Sequence, residues 1–242
     1  MGFQSEKNVV RAYYAALDSA DDADILGAVE GYIGSEYLWR GYHPFGEITS
    51  LADVVTRFWV PLKTSITRLQ RRQDVFFAGK NVTPDNNGTW VVSMGHLMGL
   101  FDAPWLGIRP TRKMVFLRYA EFHRVADGKI QETAFYFDIP HLMIQAGQNP
   151  FPPQTGAHMV QPGPMPHDAL LFDDAPIEEG QKTMDAIEAM ITDLGQWQLG
   201  LPLEEELART WHDDMIWWGP AGVGATYTIE RYAKQHSGPF RA

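Results

Sequence analysis

Residues 127–147 read DGKIQETAFYFDIPHLMIQAG, and this stretch decides the architecture. Asp127-Gly128 closes a turn, since both residue types tolerate the backbone of a tight reversal. Residues 129–139 then form a strand, rich in aromatic and β-branched side chains. Asp138 stands just before Ile139-Pro140, where a helix is expected to begin. Working upstream, strands are expected at about 112–124, 88–100 and 67–79, with a turn at Asp85-Asn86-Asn87-Gly88. Further upstream the period changes. Val9, Val10, Tyr13, Tyr14 and Leu17 recur at helical spacing over 4–18, a second helix fits 22–32, and Glu36–Gly41 reads as a short strand. The loop His43-Pro44-Phe45-Gly46 leads to a helix opened by Ser50-Leu51-Ala52-Asp53. Helices first and an antiparallel sheet afterwards make an α+β unit.

Downstream, NPFPP, QPGPMP and DDAP fill residues 149–176, a Pro-rich stretch expected to be a linker or extended arm. Helices follow at 178–194 and 203–211, with a strand at Asp214–Gly219. At an offset of 178 residues Trp39 falls on Trp217, Gly41 on Gly219, Gly46 on Gly224 and Ser50 on Thr228, so the order of elements repeats. The domains expected are 1–148, a linker over 149–176, and a partial second unit over 177–242. That second unit lacks the four long strands, which implies that the polypeptide continues past Ala242 or that the remnant docks on another sheet.

The 242 residues amount to about 1.6 average domains. A net charge of −10 argues against a nucleic-acid surface. The 45% hydrophobic content suffices for a core without staples. The absence of cysteine removes disulfides, thiolate nucleophiles and Cys-ligated metal. The N-terminus has neither the basic start nor the apolar run of a secretory signal, and no stretch approaches a membrane span. A cytoplasmic protein with no membrane partner is the expectation.

The Asp127-Gly128-Lys129-Ile130 sequence, with Glu132, Asp138, Leu142-Met143, Gln145 and Gly147 behind it, resembles the terminal pattern of SnoaL-like polyketide cyclases. These belong to the nuclear-transport-factor-2-like superfamily. The resemblance covers one full unit and part of a second. It implies a cone-shaped α+β barrel, its curved antiparallel sheet wrapped around a pocket closed by N-terminal helices. It also implies a cofactor-free enzyme in which an aspartate takes a proton next to a carbonyl and the enolate closes a ring by aldol addition. Isomerase, dehydratase and hydrolase reactions are neighbours on the same fold. A non-catalytic binding or dimerisation module is the alternative. The chain departs from the pattern at Ala134, where the family has Trp, and at Arg112, where Gly is frequent, which implies a differently shaped pocket.

Asp138 is the expected general acid and base, or else the cap of the helix near Pro140. His96 is a candidate partner on the second long strand, with core or surface packing as its ordinary role. Pairing Arg124 with Lys129 across a four-residue turn places Tyr119, Glu121, His123, Glu132, Tyr136 and Asp138 on one face. His123 is then expected to be exposed at the strand end. Glu121 and Glu132 would lie opposite one another and need a cation, Arg118 or Lys113. Trp39, Trp59, Trp105 and Tyr136 are candidates for an aromatic pocket around a small carbonyl ligand, and His43 for its mouth, with core or loop packing as the alternative. Phe116, Phe122, Phe135 and Phe137 on the reverse face predict a homodimer. No metal-ligand spacing or phosphate loop occurs, and Gly95-His96-Leu97-Met98-Gly99 fits neither.

Overall fold

A computed structural model describes residues 2–83, 87–157, 163–164, 168–196 and 200–241, so Asp85 and Asn86 of the expected turn lie outside the described residues. The chain divides into two units, Met1–Pro150 with Pro162–Asp174, and Phe151–Gln161 with Ala175–Ala242.

In the first unit, α1 (Gln4–Ser19) buries Val10, Tyr13, Tyr14 and Leu17 along one stripe. A short α2 (Ile25–Val29) precedes the hairpin of β1 (Ile33–Gly41) and β2 (Gly46–Ile48). Ser50 then caps a continuous helix by accepting from the Asp53 N–H at 3.3 Å. That helix runs through α3 (Leu51–Val54), a π turn (Val55–Trp59) and α4 (Val60–Ser65). The wider π turn lets Val54, Val55, Phe58, Trp59 and Leu62 all face the core. Four long strands follow: β3 (Ile66–Lys80), β4 (Thr89–Phe101), β5 (Met114–Ala126) and β6 (Lys129–Phe137). The short α5 (Ile139–Gln145) comes after them. The sheet runs β2-β1-β6-β5-β4-β3, antiparallel except where β1 meets β6.

The register between β5 and β6 differs from the expected one. Asp127 (φ 52°) and Gly128 (φ 69°) form a two-residue turn, so Ala126 pairs with Lys129 and Val125 with Ile130. Gln131 is then an extra residue, after which Arg124 pairs with Glu132, His123 with Thr133, Glu121 with Phe135 and Tyr119 with Phe137. The change reverses the parity of β6. Tyr119, Glu121 and His123 face the interior with Phe135 and Phe137, while Glu132 and Tyr136 share the outer face with Phe116 and Phe122.

β3 contains two bulges, one between Thr67 and Gln70 and one between Gln73 and Val75. Each inverts the alternation, so the tetrapeptide between them turns Arg71 and Gln73 inward, on the same side as Ile66 and Phe76. Two glycines of β4 make room. A Cβ on Gly95 would lie 2.0 Å from the Arg72 carbonyl oxygen, and one on Gly99 would lie 2.7 Å from that of Thr67. This is the structural role of the Gly95 to Gly99 segment.

The Pro-rich stretch is divided between the units. Phe76 donates its N–H to the Ala169 oxygen and accepts from the Leu171 N–H, both at 2.7 Å, which adds an edge to β3. In the second unit Ala157 bridges Ala225. That unit contains α6 (Ile177–Leu194), α7 (Leu203–Leu207), β7 (Ile216–Trp217), β8 (Thr226–Tyr227), α8 (Ile229–Tyr232), a π turn (Ala233–Ser237) and α9 (Gly238–Arg241). Leu207, Ile229, Tyr232 and Ala233 form its core. The offset of 178 carries α2 onto α7, the pair Trp39–Ile48 onto Trp217–Thr226, and one π turn onto the other. It also carries the cap Ser50–Asp53 onto Thr228–Arg231. In both hairpins the Trp ring lies over the Gly two residues later, Gly41 or Gly219, with no space for a Cβ.

Candidate active site

β3, β4, β5, β6 and α1 supply one buried polar cluster inside the first unit. Glu121, on the inward face of β5, accepts from Arg71 Nη1 at 2.8 Å, and both side chains are closed off from solvent. Burial alone would raise the Glu121 pKa, but the charge of Arg71, and then the interactions with His123 and Tyr14, outweigh it and hold the carboxyl down at about 2. Burial likewise disfavours the Arg71 cation, and Glu121, Tyr119, Tyr14 and Asp18 together carry its pKa above the ordinary value. The guanidinium lies 3.8 Å from the Tyr14 ring centroid, 4.9 Å from Tyr119 and 5.9 Å from Trp59, so aromatic faces replace water around it.

His123 is also fully buried. Its Nε2 is 2.9 Å from the Tyr14 hydroxyl and 3.5 Å from Glu121 Oε1, and its Nδ1 is 2.8 Å from Thr133 Oγ1. Tyr37 donates to that same Oγ1 at 2.9 Å. Thr133 Oγ1 keeps a second lone pair that can accept an Nδ1–H, and in that tautomer Nε2 is the basic nitrogen, with the Tyr14 hydroxyl as its donor. Burial and then the Glu121 charge push the Tyr14 hydroxyl well up, so it stays protonated. On the other side, Gln73 Nε2 donates to Ser93 Oγ, which is 2.9 Å from the Tyr119 hydroxyl.

Three atoms of this cluster are unsatisfied. Arg71 Nε, Arg71 Nη2 and Glu121 Oε1 make no hydrogen bond among the described residues. Asp18, at the end of α1, reaches to 3.9 Å from Arg71 Nε and lines a groove of about 460 Å³ with Ser19, Asp21, Lys63, Arg68 and Leu69. Burial raises the Asp18 pKa against the pull of Arg71.

Of the residues expected from sequence, the structure brings together Tyr119, Glu121 and His123, with Trp59 at their border. His123 is buried rather than exposed. The cation beside Glu121 is Arg71 rather than Arg118 or Lys113. Glu132 is not opposite Glu121, and on the outer face it pairs with Arg40 and Arg124. Tyr136 packs there against Tyr42, ring centroids 4.4 Å apart and tilted by 40°. Trp39 is packed among Phe45, Phe58 and Phe135, and His43 is exposed between β1 and β2. His96 faces outward on β4, 3.5 Å from Asp74 and edge-on to Phe116. Asp138 accepts the His141 N–H at 3.0 Å and so caps α5, with its own N–H on the Arg118 carbonyl. Sequence reasoning missed Arg71, Thr133 and the role of Tyr14. Only Tyr14 left a signal, on the apolar stripe of α1.

Among the described residues no group of three or more His, Asp or Glu is arranged to hold a metal, and no helix is long and apolar enough to cross a membrane. No family model matches the chain, and no curated protein matches it. Among solved structures, AclR from Streptomyces galilaeus, provisionally named a hydroxylase, is similar over 62% of this chain and 90% of its own, at 18% identity and TM-score 0.48. A provisionally named SnoaL-like polyketide cyclase from Jannaschia sp. CCS1 covers 63% of this chain and 95% of its own, at 20% identity and TM-score 0.47. An NTF2-like protein from Burkholderia thailandensis E264 covers 60% and 97%, at 20% identity and TM-score 0.42.

Proposed function

We propose that the first unit is a cofactor-free acid–base enzyme for a small aromatic carbonyl compound, of the cyclase type or a related isomerase, dehydratase or hydrolase. The observation that supports this is the enclosed Arg71–Glu121–His123–Tyr14 cluster, which has hydrogen-bonding atoms left over. Structural proteins rarely keep such a group buried, because an unpaired donor costs about 1–3 kcal/mol. In this reading His123 exchanges the proton. Its Nε2 takes a proton from the carbon next to the carbonyl, the C–H electron pair moves through the new C=C bond onto the carbonyl oxygen, and the enolate carbon adds to a second carbonyl. The resulting alkoxide takes the proton back from the imidazolium. The Tyr14 hydroxyl donates to the developing oxyanion, and the Arg71 charge beside it stabilises that oxygen. Glu121, held ionised, is the orienting charge rather than the base. The Asp138 carboxylate serves α5 as its cap.

The test is deuterium uptake at the carbon next to the carbonyl of aryl ketones such as α-tetralone, followed by NMR in D2O. Acceleration that disappears in His123→Ala supports the reading. Exchange at the buffer rate favours the non-catalytic binding module, a reading that the aromatic filling by Trp39, Phe45, Phe58, Trp105, Phe135 and Phe137 also suits.

For assembly, we read the outer sheet face, where Phe77, Leu100, Met114 and Tyr136 are exposed, as the surface of a homodimer. We read the second unit as a partial copy of the first. At the common offset, Tyr14 and Trp59 correspond to Thr192 and Ser237, so the aromatic members of the cluster are not repeated at those two positions.

A further inference from the structure

A guanidinium group has two flat edges that can each grip a pair of oxygens. In Arg71, Nη1 is taken by Glu121, whereas Nε and Nη2 are both unpaired. These two atoms point their N–H bonds in parallel along one edge, the geometry that matches a carboxylate. The side chain is 3% exposed, so water does not satisfy that edge freely. Aromatic rings of Tyr14 and Tyr119 flank it. The nearest carboxylate, Asp18, is 3.9 Å from Nε, too far for a hydrogen bond, and the same Asp18 lines the groove. Lys63 of that groove is occupied, since it donates to the Leu17 carbonyl at 3.1 Å and to that of Ala20. Among the described residues Arg71 is the buried cation with unpaired hydrogen-bonding atoms next to Asp18, and Arg68 stands in the groove itself.

We propose that the Nε/Nη2 edge of Arg71 binds a carboxylate of the ligand, delivered past Asp18 from the groove at the end of α1, so that this site takes small aromatic acids. The proposal rests on reading the buried cluster as a small-molecule site and adds the substrate class to it. Asp18 competes for the same edge, so an incoming anion must displace or neutralise it.

Calorimetric titration of the full chain with benzoate and with the neutral benzamide tests this. Benzoate is expected to bind at least ten-fold tighter than benzamide, and Asp18→Asn, which removes the competing charge at constant shape, is expected to tighten benzoate several-fold. Arg71→Lys, which keeps the charge but loses the flat edge, is expected to abolish the preference. If that variant does not fold, the Asp18→Asn comparison decides. Equal affinity for the two probes, no benzoate binding, or a benzoate affinity unchanged by Asp18→Asn overturns the proposal. Benzoate preference without ketone exchange would remove the catalytic reading and keep the anion site, and exchange without the preference would do the reverse.

Discussion

Arg71 and Glu121 face one another at 2.8 Å across β4, which separates their strands, and neither is open to water. Two charges removed from solvent are tolerated only as a pair, so each is fixed by the other. Glu121→Gln would leave the Arg71 cation buried without compensation. The expected loss is about 3–5 kcal/mol, read as a fall in the denaturation midpoint. A variant within 1 kcal/mol of wild type would contradict the pairing.

The same pair sets an acid limit. The folded carboxyl is held at about 2 against an ordinary 4.5, so its stabilisation is fully present above the unfolded value and is lost as pH falls from there toward 2. The amount at stake is about 3 kcal/mol. Thermal unfolding followed from pH 5 to pH 2 should fall more steeply for wild type than for Glu121→Gln.

Gly95 and Gly99 are expected to tolerate no side chain, because a Cβ would strike the bulged backbone of β3. Gly95→Ala should cost more than about 2 kcal/mol. Through the displaced bulge it should also weaken ligand binding at Arg71. Circular dichroism melts check the first effect, and benzoate titration checks the second.

Asp138 separates capping from catalysis. Asp138→Ala should lose about 1 kcal/mol through the α5 cap, while Asp138→Asn keeps an acceptor and should keep both stability and ketone exchange. Exchange abolished in a folded Asp138→Asn would return the proton-transfer role to this residue.

The homodimer reading predicts that Met114→Glu, on the exposed outer face, yields monomers with the fold intact. Light scattering of wild type and variant is the measurement. A wild type that is already monomeric removes that surface from consideration.

The sequence by itself determined the long helices, the four long strands and the α+β order, because helical and strand periods are local properties. The stripe on α1, the Ser50 cap and the Asp127-Gly128 turn all form from residues within a few positions of each other. The constant offset of 178 was likewise readable from Trp39, Gly41 and Ser50 alone. Which side chains meet inside was decided by the tertiary structure. One extra residue at Gln131 moved Glu132 and Tyr136 to the outer face and Phe135 and Phe137 to the inner one. Two bulges in β3 turned Arg71 inward, where the alternation set by Ile66 and Phe76 would have left it outside. A bulge depends on what the neighbouring strand can accommodate, here the missing side chains of Gly95 and Gly99, and that contact joins residues far apart in the chain.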